Sequence, residues 1–368
     1  MANAKAKPKQ PSLQKFDAKM RSGDAVADLA WYSPEKPPFY LAGFPWFSKD
    51  GVYRRMPLKP KDKLPEAVDW LANHTAGGQI RFQSNSRKLS VRVKLLRAAD
   101  MVHMPATGQC GFDCYVGPPR QQRFMGVTRY DVKASEYQIA LFDLAQAKER
   151  NITLNFPLYQ GVQEISVGLE PGASLSAPPP YALKRPVVIY GTSITQGGCA
   201  SRPGMAYTNI LSRRLNVEIF NLGFSGSGKG EPEVARTIAT IRNPALIALD
   251  YESNCGGRDA LSATLPGFIQ ILRRSHPQVP ILVISKIRYA AENFNPSMIQ
   301  GRLSTRDYQR DTVATLRRSD PHIFFADGGE LLGSGFDECA VDGVHPTDLG
   351  FLRMADGLEP VFRTILGL

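Results

Sequence analysis

The sequence lacks the features that mark several large classes of protein. Its five cysteines form no C-x-x-C pair and no cluster with histidine, so neither a zinc site nor a disulfide framework is expected. A single Cys110–Cys114 disulfide stays open. No apolar run approaches the roughly 20 residues of a membrane helix, and the basic N-terminus is not followed by the apolar run, about 7–15 residues long, of a secretory signal. We therefore expect no membrane span and no metal, in a protein that is either cytoplasmic or exported by a leader absent from the sequence.

An even charge balance is also missing, since the 368 residues carry a formal net charge of +11. Part of this excess lies in residues 1–24, which have few apolar side chains and predict a flexible basic tail. The other basic residues are scattered and are not interleaved with aromatic ones, so we expect no specific nucleic-acid binding. The six basic residues of the tail are Lys5, Lys7, Lys9, Lys15, Lys19 and Arg21.

A stretch of prolines and small residues, 171–180, separates two halves with different apolar patterns. Before it, apolar and polar residues alternate, as they do from Leu89 to Leu95, and many short strands of this kind predict a β-sandwich or jelly roll. We assign this β-domain to residues 25–175 and the linker to 176–185. A helix is expected at 66–73, and strands at 79–84, 89–95, 111–116, 122–128, 136–143, 152–156 and 165–169.

Residues 186–368 instead alternate between continuous apolar runs and helical stretches. Apolar runs of this kind suit parallel strands that are covered by helices on both faces. The pattern predicts a three-layer α/β/α sandwich with a flavodoxin-like parallel sheet, whose ligands would bind at the carboxyl ends of the strands. The expected strands are 187–190, 217–222, 245–250, 281–285 and 323–326, and the expected helices lie near 204–215, 232–241, 260–274, 302–317 and 349–366.

Two glycine-containing loops follow the first two of these strands. Ser193 stands two residues after Gly191, where a tight turn would expose its hydroxyl at the top of the sheet, and a following helix would direct N–H groups toward it. The same segment also suits a serine that caps a helix or fills a turn. Gly226 follows the second strand and could offer an N–H to an oxyanion, although an ordinary loop fits as well. Its surroundings, 223–229, lack the full spacing of a phosphate-binding loop.

Two further motifs complete the set. Asn254 follows the third strand, where an amide can donate to a developing oxyanion or simply form a turn. His345 precedes the last helix and stands three residues after Asp342. A histidine there can accept a serine proton near neutral pH, and the carboxylate can bind its other ring nitrogen. The remaining histidines lack such a setting, and His276 and His322 are interpreted as structural.

Taken in this order, the four motifs make residues 186–368 resemble the SGNH/GDSL hydrolase family, whose sequence blocks are named for Ser, Gly, Asn and His. The resemblance implies that Ser193 is the nucleophile, His345 the base and Asp342 the acid that orients it. It also implies an oxyanion hole made by the N–H groups of Ser193 and Gly226 and by the side-chain amide of Asn254. No metal and no organic cofactor is implied.

Two motif positions depart from the family. Thr192 stands where the family has an aspartate that is not the catalytic acid, so the chemistry is expected to be unaffected. The third block reads Glu-Ser-Asn-Cys over 252–255 in place of G-x-N-D. The asparagine is kept, but the residues around it differ, so a different loop geometry is expected.

The N-terminal half resembles the small β-domain with a G-x-D-L-Y motif that precedes one subgroup of these hydrolases. The motif itself reads Gly-Phe-Asp-Cys-Tyr over 111–115, with Cys114 in the place of leucine. Two further segments that carry the resemblance are 38–46 and 53–57.

The predicted function is hydrolysis of short-chain acyl esters, acetyl in particular, on a carbohydrate. The only partner expected is this small-molecule or saccharide ester substrate. Trp31, Trp46 and Trp70 could stack on sugars if they do not belong to the core. Three alternatives stay open: a lipase- or thioesterase-type acylhydrolase with a non-carbohydrate substrate, a non-catalytic carbohydrate-binding protein with a hydrolase fold, and a phosphate-binding transferase built around 223–229. The sequence does not indicate an oligomeric state.

Overall fold

The computed structural model describes residues 13–368. The first half of the predicted basic tail therefore lies outside the described residues, and its second half forms 3-10 turns at Leu13–Lys15 and Ala18–Met20. The described strands are β1 (Ala30–Tyr32), β2 (Tyr40–Ala42), β3 (Gln79–Ser84), β4 (Lys88–Leu95), β5 (Asp113–Val116), β6 (Arg123–Val127), β7 (Glu136–Asp143), β8 (Arg150–Asn155), β9 (Val162–Leu169), β10 (Leu175–Ser176), β11 (Val187–Gly191), β12 (Ile219–Gly223), β13 (Leu246–Asp250), β14 (Ile281–Ile284) and β15 (Ile323–Ala326). The α-helices are α1 (Phe47–Asp50), α2 (Glu66–Leu71), α3 (Ala106–Gln109), α4 (Ser193–Gln196), α5 (Tyr207–Leu215), α6 (Pro232–Ile238), α7 (Arg258–Ser275), α8 (Pro296–Leu316) and α9 (Asp348–Leu366).

The N-terminal region, β1 to β10, is made of two antiparallel sheets that enclose one core. One sheet has the order β1-β9-β4-β7, and the other has the order β10-β3-β8-β5-β6 with β2 also paired to β3. Because side chains alternate along a strand, β4 directs Leu89, Val91 and Val93 inward. They pack in one cluster with Phe82 and Leu154 of the opposite sheet. The alternation in the sequence thus correctly predicted a β-sandwich.

The C-terminal region, β11 to α9, contains a parallel sheet in the order β12-β11-β13-β14-β15. This is the flavodoxin-like 2-1-3-4-5 order. Val187 and Ile189 of β11 pack on one face of the sheet with α5 and α9. Val188 and Tyr190 pack on the other face with α6, α7 and α8. The predicted three-layer α/β/α arrangement is confirmed.

Most predicted elements lie within a few residues of the observed ones. Several short elements were not predicted, among them the four-residue helices α1 and α3, and one helix begins earlier than predicted. The short strands β1, β2 and β10 have too few residues to show an alternating pattern. Helix α8 begins at Pro296 and not near 302, because the Asn295 side chain accepts a hydrogen bond from the Ser297 N–H and so caps the helix.

The two regions share their cores. Helix α2 contributes Val68 and Leu71 to the cluster on one face of the parallel sheet, and Leu158 and Tyr159 join the cluster on the other face. The segment between β10 and β11 contacts both regions, since the Pro179 carbonyl accepts from Arg81 and the Pro180 carbonyl accepts from Asn216. All five cysteines are free and buried, so Cys110 and Cys114 are not joined.

Within residues 13–368, none of the helices is both long enough and apolar enough to cross a membrane.

Candidate active site

The candidate residues lie at the edge formed by the carboxyl ends of three neighbouring strands. Strand β11 lies between β12 and β13, so the loops that follow these three strands emerge side by side. Ser193 follows β11, Gly226 lies in the loop after β12, and Asn254 lies in the loop after β13. The loop before α9 brings His345 to the same edge, where it meets Ser193.

Ser193, His345 and Asp342 form a continuous chain of hydrogen bonds. The Ser193 Oγ lies 2.9 Å from the His345 Nε2, and the His345 Nδ1 lies 2.7 Å from the Asp342 Oδ2. The serine side of this chain is buried, with Ser193 only 7% exposed. The imidazole can therefore take the serine proton while the carboxylate binds its other nitrogen.

The electrostatics of Asp342 suit this arrangement. Partial burial by itself would raise the pKa of Asp342, but the backbone N–H and ring of His345 and the Val344 N–H donate to the carboxylate and lower its pKa to about 2. The carboxylate is thus ionised at neutral pH and can stabilise an imidazolium at His345.

The turn that presents the serine is fixed by its own sequence. Thr192 caps α4 by accepting a hydrogen bond from the Ile194 N–H, and Thr195 completes a capping box. Threonine thus makes the cap at the position where the family has aspartate. A side chain at Gly191 would place its Cβ 2.0 Å from the Thr195 Oγ1, so only glycine allows the strand to turn this closely. Ser193 is the first residue of α4, and its N–H therefore has no acceptor within the helix.

The other two oxyanion candidates lie close to each other. The Asn254 Nδ2 donates to the Ser227 carbonyl over 2.6 Å, which joins the loop after β13 to the loop after β12. An amide group has two N–H bonds, so one is left to donate elsewhere. Gly226 has a φ of 64°, in the left-handed region that favours glycine.

The unusual third block is explained by Glu252. Its side chain is 5% exposed and accepts hydrogen bonds from the Lys286 N–H, the Thr305 hydroxyl and the Gln309 amide. These contacts hold the 3-10 turn Glu252–Asn254 against β14 and α8. The loop geometry therefore comes from a buried carboxylate and not from the usual G-x-N-D sequence.

Sequence reasoning did not identify Asp250, which lies beneath the turn that carries Ser193. Its Oδ2 accepts from the Thr195 Oγ1 over 2.9 Å and from the Tyr207 hydroxyl over 2.7 Å, so it connects β13 to α4 and α5. Burial raises the pKa of Asp250 from 3.8 to about 6, against the effect of these two hydrogen bonds. Its position at the carboxyl end of the third strand, shortly before Asn254, was the available signal.

We expect Asp250 to make stability depend on pH in the mildly acidic range. The pKa of Asp250 is higher in the folded state than in the unfolded state. Its contribution to the free energy of unfolding is therefore fully present below the unfolded pKa of 3.8 and is lost as the pH rises through the folded pKa of about 6. The free energy of unfolding of wild type should therefore fall, relative to that of Asp250→Asn, as the pH rises across this window. Urea unfolding of both proteins at pH values between about 4 and 7 measures this; parallel curves would contradict it.

A second histidine, also missed, comes from the N-terminal region. The His103 Nε2 lies 3.9 Å from the Asp342 Oδ2, and the rings of His103 and His345 are 5.8 Å apart. The possible ligand atoms of these three residues lie within 4.8 Å of one another. An ion bound there would compete with the hydrogen bond between His345 and Asp342, so the group is better suited to proton transfer. No sequence pattern pointed to His103, because its partners are far away in the chain.

Arg55 of the N-terminal region supports the loop after β12 from below. Its guanidinium is fully buried and donates to the carbonyls of Asn221 and Gly223 over 3.2 and 2.5 Å. It also donates to the carbonyls of Leu71 and His74 in its own region. Burial lowers the pKa of Arg55 to about 9, which still leaves it charged at neutral pH. The strand end that leads to Gly226 is therefore held by a cation from the N-terminal region.

A second connection runs through His74 and Gln196. Burial, reinforced by the charge of Arg55, lowers the pKa of His74 to about 3, so its ring is neutral at pH 7. The Gln196 amide N–H lies 3.0 Å from the His74 Nδ1, and the Gln196 Oε1 accepts from the Ser225 N–H over 3.1 Å. Helix α4, which begins at Ser193, and the loop carrying Gly226 are thus fixed relative to each other.

The aspartate of the G-x-D-L-Y-like motif makes a third connection. Asp113 is fully buried and accepts from the Arg202 guanidinium over 3.1 Å, the Gly204 N–H over 2.7 Å and the Asn155 amide over 2.7 Å. Arg202 and Gly204 lie shortly after α4, and nearby Ser201 donates to Asp348 at the start of α9. The motif aspartate therefore fixes the segment 201–204, which connects α4 to the start of α9.

Two family comparisons match these regions. Residues 184–363 match the GDSL-like lipase/acylhydrolase family. Residues 29–175 match the N-terminus of SGNH hydrolase-type esterases, which carries the GxDLY motif. No curated protein matches the chain.

Solved structures match the chain over nearly its whole length. A protein from Bacteroides ovatus described as a GDSL-like lipase is 28% identical with a TM-score of 0.84, and the match covers 92% of this chain and 98% of that one. A salicylyl-acyltransferase from a tetracycline biosynthetic pathway is 21% identical with a TM-score of 0.73, over 93% and 99% of the two chains. A family two carbohydrate esterase from Cellvibrio japonicus is 15% identical with a TM-score of 0.59, over 92% and 98%. The last two similarities are similarities of fold.

Proposed function

Given that the chain is an ester hydrolase of the SGNH/GDSL type, we propose that it removes short acyl groups, acetyl in particular, from the hydroxyls of a carbohydrate. The proposed catalytic residues are Ser193, His345 and Asp342. The observation that carries this proposal is the hydrogen-bonded chain from the Ser193 Oγ through the two ring nitrogens of His345 to Asp342, with distances of 2.9 and 2.7 Å.

The proposed reaction has two halves. The Ser193 Oγ attacks the ester carbonyl carbon while its proton passes to the His345 Nε2, and the carbonyl oxygen becomes an oxyanion. The oxyanion receives the N–H groups of Ser193 and Gly226 and the free N–H of the Asn254 amide. His345 then gives its proton to the leaving alcohol. A water molecule, deprotonated by His345, releases the acyl group as a carboxylic acid and restores the serine.

The choice of substrate has two supports. The fold is shared, at low sequence identity, with a carbohydrate esterase from Cellvibrio japonicus. The sequence also contains no long apolar segment that would form a lid for insoluble fat. A short acyl group on a soluble, hydroxylated alcohol fits both observations.

A covalent serine probe combined with a substrate screen tests this function. We expect a fluorophosphonate to label Ser193, and p-nitrophenyl acetate to be cleaved faster than p-nitrophenyl octanoate. Acetylated saccharides should release acetate. Folded protein that stays unlabelled would indicate the non-catalytic alternative, and a preference for octanoate would indicate a lipase-type acylhydrolase.

A further inference from the structure

A recess of about 370 Å³ lies at the contact between the two regions, next to the loop that carries Gly226. Ser225, one residue before Gly226, lines one side of it. Tyr159 lines another side, and its hydroxyl donates to the Ser193 carbonyl over 3.1 Å. The recess therefore borders the proposed site through a hydrogen bond to the Ser193 main chain and through the residue next to Gly226. Apart from Ser225, its lining residues come from the N-terminal region.

The same loop of the N-terminal region reaches both the recess and the catalytic chain. This loop, residues 97–103, follows β4. Arg97, Asp100 and Met101 line the recess, and His103 lies beside Asp342 and His345. The recess and the catalytic histidine thus share one wall.

The chemistry of the recess combines an aromatic surface with hydrogen-bonding groups. Half of the Trp70 side chain is exposed, and the Arg97 guanidinium lies 5.1 Å from its ring centroid. Asp100 offers a carboxylate next to this pair. An alkyl chain placed here would take two charged groups out of water without replacing their hydrogen bonds, which is unfavourable. A hydroxylated ring would pack its C–H face on the indole and supply donors and acceptors to both groups.

Two buried glutamines hold this wall in place. The Gln109 Oε1 accepts from the N–H groups of Asp100 and Met101, each over 3.1 Å, and its Nε2 donates to the Asp100 Oδ1 over 2.6 Å. The Gln160 Nε2 donates to the Ala98 carbonyl. Both glutamines are at most 2% exposed. A wall fixed before binding loses less conformational freedom when a ligand arrives, which favours affinity.

We propose that this recess binds the sugar ring that carries the ester, and that Trp70 and Arg97 determine specificity for the alcohol part of the substrate. The inference rests on the proposed function and assigns a role to the N-terminal region: it supplies the subsite for the leaving alcohol. Of the three tryptophans considered from sequence, Trp31 stacks on Arg92 in β4, and Trp46 packs against the core of the C-terminal region. Trp70 is the one that borders the recess.

The test compares two acetyl esters that differ only in the alcohol. For Trp70→Ala we expect kcat/KM for an acetylated xylo-oligosaccharide, divided by kcat/KM for p-nitrophenyl acetate, to fall about tenfold, mainly through KM. Arg97→Gln should lower the same ratio. Trp31→Ala is the matched control, since it removes an indole that lies in β1 and does not line the recess, and its ratio should equal that of wild type.

The possible outcomes separate the two proposals. An unchanged ratio in both Trp70→Ala and Arg97→Gln overturns the subsite while leaving the esterase function intact. If these variants change the preference for acyl length while the ratio stays unchanged, the recess binds the acyl group, and the proposed alcohol subsite is overturned as well. A wild type that cleaves p-nitrophenyl acetate but no saccharide acetate overturns the carbohydrate substrate itself.

Discussion

Replacing Ser193 by alanine should lower the turnover of p-nitrophenyl acetate by about 10⁵–10⁶-fold. Without the Oγ there is no atom to form the acyl-enzyme, and His345 loses the partner at 2.9 Å from which it would take a proton. The proposed oxyanion donors stay in place, so a small residual rate above that of water is expected. Steady-state hydrolysis, with far-UV circular dichroism to verify folding, measures this effect.

The matched control for this variant is Ser334→Ala. Ser334 is an exposed serine in the loop between β15 and α9, so its removal should leave turnover as in wild type. A Ser193→Ala protein that is folded and still hydrolyses the ester at a substantial fraction of the wild-type rate would exclude Ser193 as the nucleophile, whatever the geometry around it.

The second large effect is expected for Asn254→Ala, which should lower kcat by about 10²–10³-fold with little change in KM. The asparagine amide already donates one N–H to the Ser227 carbonyl, and its other N–H is the one proposed to reach the oxyanion. Because the negative charge develops only in the transition state, the loss should fall on kcat.

Thermal unfolding distinguishes this loss of a donor from a collapse of the loop. The hydrogen bonds of Glu252 hold the turn independently of the Asn254 side chain, so the melting temperature of Asn254→Ala should fall by only a few degrees. An unchanged kcat in the folded variant would remove Asn254 from the oxyanion hole.

Much of the fold follows from apolar periodicity. The alternation of apolar and polar residues in β4 predicts a sheet with one covered face and one exposed face. The continuous apolar residues in β11 predict a sheet that is covered on both faces. Most helices of the C-terminal region have ends that the sequence places within a few residues, and the start of α8 is the exception. The edge strands β1 and β2 span three residues each. Strand β1 pairs with β9, more than a hundred residues away in the chain, and β2 pairs with β3, about forty residues away, and no local sequence pattern encodes such pairings.

The proposed site shows the same division between local and distant information. Ser193, Gly226, Asn254 and His345 each follow or precede a predicted element, so parallel-sheet topology alone predicts that they meet. Arg55 and His103 belong to the other region, and their roles arise from contacts across the interface. A single sequence contains no physical signal for such contacts, because they depend on how two separately formed layers pack together.

Arg55 has a consequence for how such enzymes can be recombined. In a fusion that joined residues 184–368 to a different binding module, the Asn221 and Gly223 carbonyls would lose the hydrogen bonds that the Arg55 guanidinium now donates to them. Two backbone acceptors left without donors beneath the proposed oxyanion loop would cost about 1–3 kcal/mol each if they stayed buried. The halves are therefore poor candidates for modular exchange, and a designer who wishes to change the alcohol specificity should redesign the recess in place and keep the native partner.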